Sequence, residues 1–338
     1  MKITTLGIDL AKNVFQLHGA DEKGKCIFKK KVMRKELSNF ITNLPQCTIV
    51  MEACGGSHYW AREFKKMGHN VKLIAPKFVR PFIKSNKNDA ADAEAIVEAA
   101  SRPEMRFVQI KDINQQQIQT LHTGRSILLK NRIQLGNSVM GLLHEYGFTI
   151  IPGVRNFSYK IHTVLDSKQG EIPEQAKLVV LMLLEQWEKL QSQILQIEKQ
   201  LLLISRQYEP CKRIQKIEGV GPLTATAVIA IIGDPKQFKN GRQFSAYLGL
   251  VPKQHSSGSK EKLLGISKRG NTYLRTLLVN GARAAIRVAH THNTKRSRWA
   301  LEKLQTRGNN RASVALANRN ARVIWALLAK GEEYVLVA

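Results

Sequence analysis

Four acidic residues in the first third of the chain have the types and spacing that suit divalent-metal chemistry. Asp9 and Glu52 each end a short apolar run that predicts a buried strand. Asp89 and Asp92 lie three residues apart at the start of a helical pattern, so they share one face of that helix. Carboxylates gathered on one sheet repel one another unless a cation lies between them, and hard cations bind carboxylate oxygens. The four residues therefore predict a divalent-metal site.

Such a site would suit the cleavage of phosphodiester bonds. In two-metal cleavage, one ion activates the attacking oxygen and the other stabilises the leaving oxygen. Each acid alone has an ordinary structural explanation: Asp9 could be a turn residue, Glu52 a surface residue and Asp89 a helix N-cap. Because all four are expected at one edge of a single sheet, the metal site is the favoured interpretation.

The composition points to nucleic acid as the partner. Lys and Arg number 53 against 26 Asp and Glu, which gives the 338 residues a formal net charge of +27. A surface this basic attracts polyanions, although charge alone leaves open a loose, non-specific binding. A hydrophobic content of 43% argues against disorder. No apolar run is long enough to span a bilayer, so we expect no membrane contact. The four cysteines form no C-x-x-C pair, which argues against a zinc site or a disulfide framework. We therefore expect a protein of the reducing cytoplasm.

Hydrophobic periodicity predicts the elements that would position the acids. Three strands form a meander, and helices then alternate with two further strands before a last helix from 89 to 100. The predicted strands are 3–9, 14–20, 25–32, 46–52 and 70–75, and the intervening helices are 35–44 and 57–67. This pattern predicts a mixed α/β sheet. Its order of strands and acids is typical of RNase H-like and RuvC-like nuclease folds.

Two long helices are predicted after the sheet, at 112–147 and 173–206. The second has apolar residues at alternating spacings of four and three, namely Leu183, Trp187, Leu190, Ile194, Ile197, Leu201 and Ile204. This seam predicts a coiled-coil-like contact, either with the preceding helix or with another subunit. Residues 290–330 predict a basic helix that contacts nucleic acid or caps the fold. We expect three domains, with the boundaries 1–105, 106–210 and 211–338.

A Gly-Val-Gly sequence between two helical runs is typical of a helix-hairpin-helix motif. Gly219 and Gly221 would let backbone N–H groups at a helix N-terminus approach a phosphate of nucleic acid. The alternative is a helical turn that needs glycine for its own geometry.

A serine-rich loop and a basic segment follow. Ser256 and Ser257 lie in a Ser-Ser-Gly-Ser sequence, which is usually only a flexible loop. A serine hydroxyl attacks a phosphodiester only with the help of a base or a metal. Lys268, Arg269 and Arg275 are predicted phosphate contacts.

Together these motifs resemble those of DEDD-type transposases of the insertion-sequence class one-ten, subgroup eleven-eleven, which are bridge-RNA-guided recombinases. The resemblance covers nearly the whole chain and is carried by residues 7–12, 51–57, 87–92, 247–252, 256–258 and 267–271. It implies a RuvC-like N-terminal domain, a coiled-coil linker and a helical C-terminal transposase domain. It also implies Mg²⁺ (or Mn²⁺) bound by the four acids. Ser257 occupies the family's nucleophile position, which implies a transient link to a DNA 5′ phosphate.

The resemblance further implies donor and target DNA, a non-coding bridge RNA and a homo-oligomer between dimer and tetramer, at the nucleoid of a prokaryotic cell. We therefore expect a site-specific DNA recombinase that inserts and excises its own element. Two other functions remain open. A RuvC-like junction-resolving endonuclease would use activated water and keep its activity in Ser257→Ala. A non-enzymatic nucleic-acid-binding scaffold would tolerate Asp9→Ala.

Overall fold

The computed structural model describes residues 2–83, 89–150, 153, 156–167, 171–257, 262–292 and 294–335, without the side chains of residues 89 and 90. The chain divides into two compact units, Met1–Ile113 and Asn114–Ala338. Each unit has its own clusters of buried apolar side chains. The predicted three-domain division at 105/106 and 210/211 stays a prediction.

A mixed six-stranded sheet forms the centre of the first unit within the described residues. Its strands are β1 (Thr5–Asp9), β2 (Val14–Ala20), β3 (Cys26–Met33), β4 (Thr48–Glu52), β5 (Asn70–Ile74) and β6 (Phe107–Val108), in the order β3-β2-β1-β4-β5-β6. Strands β1, β4 and β5 run parallel, whereas β2 is antiparallel to both β1 and β3. The predicted mixed sheet is confirmed. Strand β6 was not predicted, because its two residues are too few to show a hydrophobic periodicity.

Helices cover both faces of this sheet. They are α1 (Arg34–Thr42), α2 (Ser57–Lys66), α3 (Pro76–Val79) and α4 (Asp89–Ala100), with a 3-10 turn at Arg80–Phe82. One face packs a core that includes Leu6, Ile8 and Phe64. On the other face, Val50 packs in a second cluster with Ile96 of α4. The inward and outward alternation of the strands therefore places two separate cores on the two sides of one sheet.

Gly7 explains how closely α4 can approach the sheet. A Cβ atom at this position would lie 2.6 Å from the carbonyl oxygen of Ala93 and 2.6 Å from Cγ2 of Val97. Both distances are too short for a real contact, and one of the two atoms belongs to the backbone. A glycine two residues before Asp9 is therefore what lets α4 lie directly on β1.

The second unit is almost entirely helical in its described part. Its helices are α5 (Ile113–His144), α6 (Phe157–Ser167), α7 (Glu174–Gln207), α8 (Glu209–Gln215), α9 (Pro222–Ile232), α10 (Gly241–Tyr247), α11 (Thr272–Arg287) and α12 (Lys295–Lys330). A small hairpin of β7 (Pro252–Gln254) and β8 (Leu263–Ile266) follows α10. Helix α12 is interrupted at Gly308, whose φ of 73° and ψ of 165° are not helical.

The two long helices pack against each other within the chain. Arg125 donates to Glu198 at 2.7 Å, and Arg132 donates to Gln191 at 2.5 Å, so α5 and α7 run antiparallel. Residues further along both helices share one apolar cluster. Of the two interpretations of the seam, packing on the preceding helix is the one that the structure shows.

A buried polar network joins α5 to the C-terminal helices. Nδ1 of His122 lies 2.9 Å from the hydroxyl of Tyr273 in α11, and Nε2 lies 3.0 Å from the hydroxyl of Thr226 in α9. Burial, with a smaller contribution from Arg125, lowers the pKa of His122 to about 4. The imidazole is therefore neutral at pH 7, and its two nitrogens hold three helices together.

Candidate active site

Asp9 and Glu52 lie next to each other at the carboxyl ends of two parallel strands. The register pairs Ile8 with Met51, and Asp9 and Glu52 are the next residues of β1 and β4. Because side chains alternate along a strand, both carboxylates belong to the face on which Gly7 meets α4. Asp9 and Glu52 thus lie side by side at one edge of the sheet, as the sequence predicted.

Helix α4 carries the other two predicted acids on that same face of the sheet. Asp92 is partly buried, and its Oδ1 atom is a buried oxygen without a hydrogen-bond partner among the described residues. A buried carboxylate oxygen without a partner is costly, and a bound cation would remove this cost. Asp89 is the first residue of α4, and its side chain falls outside the described part.

Cys54 reports the electrostatic potential at this edge. Its thiol is half-buried, and burial is the largest cause that raises its pKa. The carboxylates of Glu52 and Asp9 raise this pKa further, because a negative charge nearby disfavours the thiolate. Both carboxylates therefore act on one point in space. Sequence reasoning did not single out Cys54, although it lies only two residues after Glu52.

The donor set fits a hard divalent cation by its chemistry. The predicted ligands are all carboxylates, and one of them has a buried oxygen that lacks a partner. Among the side chains that the structure describes, no group of three or more His, Cys, Asp or Glu residues is arranged to hold a metal ion. The described part of the site is thus a pair of neighbouring carboxylates with Asp92 on the helix above, and the fourth acid lies outside it.

The two glycines of the predicted helix-hairpin-helix have different roles. Gly219 has a φ of 83°, and a Cβ atom there would lie 2.6 Å from the carbonyl oxygen of Gly281 in α11. Gly221 is the N-cap of α9 with a φ of −87°, and a Cβ atom on it would meet no described atom within 4 Å. Packing thus accounts for Gly219, whereas Gly221 leaves open space beside a helix N-terminus.

Two turns of the C-terminal part interlock around Arg275. The guanidinium donates to the carbonyl oxygens of Leu248 at 3.0 Å and Arg269 at 3.1 Å, and to the hydroxyl of Thr272 at 3.1 Å. Arg275 is only 9% exposed, so its position favours a structural role over a phosphate contact. Lys268 and Arg269 are exposed on the turn that Arg275 holds.

Ser256 and Ser257 are exposed and lie just after the end of β7, in the segment that connects β7 to β8. The backbone N–H of His255 donates to the carbonyl oxygen of Lys262 at 2.9 Å, which closes the hairpin just before the serines. Residues 258–261 of the loop fall outside the described part. Both hydroxyls are thus accessible to a bulky substrate, and nothing in their exposure separates one from the other.

Comparison with known proteins decides the family. Residues 211–300 match the model of the Transposase IS116/IS110/IS902 family, and residues 6–148 match a transposase model of the DEDD type named for IS110. The chain is 45% identical over 331 residues to a probable family 20 transposase of Pseudomonas aeruginosa, covering 98% of both chains. It is 47% identical over 332 residues to the transposase for insertion sequence element IS1111A of Coxiella burnetii, covering 98% of this chain and 91% of that one. The chain belongs to the IS110-type family of insertion-sequence transposases.

Membership of this family fixes the general activity of the molecule. The IS110-type transposase is a DNA transposase and recombinase, so its substrate is DNA, in agreement with its basic composition. The DEDD type implies use of a divalent metal ion. In the described part of this transposase, no helix has both the length and the apolar character needed to cross a membrane. The family and activity predicted from the motifs are thus confirmed, while the roles of individual site residues stay predictions.

Proposed function

We propose that this transposase cuts and rejoins DNA with a RuvC-like metal site formed by Asp9, Glu52, Asp89 and Asp92, and with Ser257 as the nucleophile. The observation that carries the proposal is the position of Asp9 and Glu52 at adjacent ends of β1 and β4, on the face covered by α4. The antiparallel meander followed by parallel strands supports the RNase H-like and RuvC-like assignment.

The acids would act as a rigid holder for the ion. Asp9 and Glu52 are fixed by the strands that they end, and Asp92 offers the buried oxygen that has no other described partner. When bound, Mg²⁺ (or Mn²⁺) would polarise the scissile phosphate and neutralise charge on the leaving oxygen. Lys268 and Arg269 would bind neighbouring phosphates, and the backbone at Gly221 has space to do the same.

Ser257 would make the covalent step. Its Oγ attacks the scissile phosphorus, a Ser–O–P bond forms to the 5′ phosphate, and the bond to the 3′ oxygen breaks. The serine proton ends on that 3′ oxygen, so atoms and charge balance without a further reactant. Attack of a second 3′ hydroxyl on the linked phosphate reverses the step and joins the new pair of ends.

A guide RNA and self-association complete the proposal. A non-coding bridge RNA would read donor and target DNA by base pairing, so that the protein needs to recognise only the backbone. The transposase would work as a homo-oligomer between a dimer and a tetramer. The family resemblance carries both of these points.

A covalent adduct between protein and DNA tests the serine. Purified transposase with its co-expressed RNA and Mg²⁺ is incubated with DNA that carries the element junction, and products are separated on a denaturing gel. We expect an adduct that persists in the neighbouring variant Ser256→Ala and is undetectable in Ser257→Ala, because only the second removes the attacking oxygen. Cleaved DNA without adduct, unchanged in Ser257→Ala, would favour the junction-resolving endonuclease instead.

A second pair of variants tests the acids in the same assay. Asp9→Asn should lower both the cleavage and the yield of adduct by about 100-fold or more. The reason is that the neutral amide lacks the negative charge with which the carboxylate holds the cation. Glu22→Gln removes the same charge at an exposed turn position and should leave both products unchanged. If Asp9→Asn folds and retains full cleavage and adduct formation, the assignment of Asp9 to the metal site is wrong.

A further inference from the structure

The second unit has a large groove with a basic lining, and none of the proposed catalytic residues is among the residues that line it. One wall is α12 between Arg307 and Lys330, and the other is formed by the β7–β8 hairpin and the start of α10. We name it the α12 groove. Its volume of about 1690 Å³ exceeds the roughly 300–1,000 Å³ of small-molecule pockets. The α12 groove is thus suited to an extended ligand.

The lining of the α12 groove has a strong excess of positive charge. Five exposed arginines contribute to it: Arg242, Arg307, Arg311, Arg319 and Arg322. Within the described part of the chain, none of the five forms an ion pair with a carboxylate. One guanidinium group can donate two parallel hydrogen bonds to the oxygens of one phosphate. The lining is therefore complementary to a phosphodiester backbone.

The acids at one end of the groove do not cancel this charge. Glu333 lies 2.5 Å from Lys216, and Glu332 lies 3.4 Å from Lys330, so each carboxylate already has a cation of its own. Arg311 and Arg322 are eleven residues apart on α12, which is about 16 Å along a helix. Positive charge thus follows the length of the groove, as a linear polyanion requires.

The hairpin wall connects the α12 groove to the proposed nucleophile. Pro252 of β7 and Leu263 of β8 line the groove, and Ser257 follows the end of β7 by three residues. Leu263 and Leu264 are 66% and 45% exposed, and they offer apolar contacts for sugars or base faces. A strand lying in the groove would therefore run along the same hairpin that holds the serine.

We propose that the α12 groove binds the sugar–phosphate backbone of the DNA strand that Ser257 attacks. The identity of the strand rests on the proposed function, whereas the binding of DNA rests on the charge and size of the groove alone. The contacts would be made to phosphates and would not depend on sequence. DNA is preferred to RNA as the occupant because the hairpin with the nucleophile forms the wall.

The salt dependence of DNA binding tests this proposal. Binding of a labelled DNA duplex to the full-length Ser257→Ala protein is measured by fluorescence anisotropy at several salt concentrations. Adding Arg311→Gln and Arg322→Gln should weaken binding by about tenfold and lower the slope of log K against log salt by about 2. The control pair Arg287→Gln and Lys295→Gln removes the same charge from exposed positions outside the groove, and its slope should stay unchanged.

Two kinds of result would contradict the proposed DNA binding in the α12 groove. An unchanged slope in the groove variant, or an equal loss in the control pair, would show that no specific phosphate contacts are made there. Loss of binding to an RNA stem-loop with undiminished DNA binding would assign the groove to RNA. Arg311→Lys with Arg322→Lys keeps both charges and should keep the slope, which guards against misfolding of the glutamine variant. Because no cleavage is needed, failure of the serine mechanism leaves this result unaffected.

Discussion

Cys54 is the residue whose chemistry reports most directly on the acidic site. Its pKa is raised by burial and by the carboxylates of Glu52 and Asp9, so at pH 8 less thiolate is present than at an unperturbed cysteine. Replacing Asp9 by Asn removes a negative charge and lowers this pKa. The thiolate fraction at pH 8 therefore rises, and alkylation of Cys54 by iodoacetamide should become about two- to fivefold faster.

Mass spectrometry of the alkylated peptides measures this effect against internal standards. Cys26 is exposed and gives the reference rate in each variant, whereas burial raises the pKa of Cys47 to about 11 and that of Cys211 to about 12. Glu22→Gln removes a distant charge and should not alter the rate at Cys54. Equal rates in the wild type and in Asp9→Asn would show that the carboxylate does not act on this thiol.

Single residues also show where sequence reasoning ends. Asp9 and Glu52 could be placed at strand ends because an apolar run stops at each of them, and the run is a local property. The burial of Arg275 could not be predicted in this way. Its partners are carbonyl oxygens of Leu248 and Arg269, and only the folded turns bring those oxygens to it.

At the level of elements, the turn between α8 and α9 offers a matched pair of glycines. Gly219→Ala places a Cβ atom at positive φ and 2.6 Å from the carbonyl oxygen of Gly281, so α11 would have to shift. We expect a loss of about 2–4 kcal/mol in the free energy of unfolding. Gly221→Ala has an ordinary φ and open space, and its cost should stay below about 1 kcal/mol.

Urea denaturation followed by circular dichroism compares the two variants. If the backbone of Gly221 also approaches a phosphate, Gly221→Ala should weaken DNA binding although the protein remains stable. Equal stability of the two variants would mean that the close approach of the turn to α11 does not contribute to folding.

Elements differ in how well their sequence predicts them. The strands β1 and β4 have apolar runs, and β2 alternates apolar and polar residues, so all three can be recognised without a tertiary partner. Helices α5 and α7 have long helical periods. The hairpin of β7 and β8 was not predicted, because its strands are three and four residues long and mostly exposed. The interruption of α12 at Gly308 was also missed, since one glycine inside a helical pattern is often tolerated.

For the whole molecule, the basic composition predicted the partner but not which surface would bind it. A net charge of +27 is a property of the entire chain, whereas the α12 groove depends on which arginines of one helix face a hairpin. Residues 290–330 were expected to be basic and helical, yet helical periodicity alone could not distinguish a nucleic-acid contact from a solvated cap.

Self-association is the remaining property of the whole molecule that the structure lets us test. Leu178 and Met182 lie four residues apart on α7 and are 59% and 56% exposed, although α7 already packs on α5. Exposed apolar side chains on one helix face favour contact with another subunit. Light scattering should thus give a mass that is a multiple of 38.1 kDa.

Two charge-matched double variants locate the contact between subunits. Leu178→Glu with Met182→Glu should shift the mass to that of one chain and leave the helical signal unchanged, because both side chains are exposed in the single chain. Gln196→Glu with Gln200→Glu adds the same charge at exposed positions about 27 Å further along α7, and this variant should remain associated. An oligomer that survives the first pair would place the contact elsewhere, and a wild-type mass of 38.1 kDa would refute self-association of the free protein.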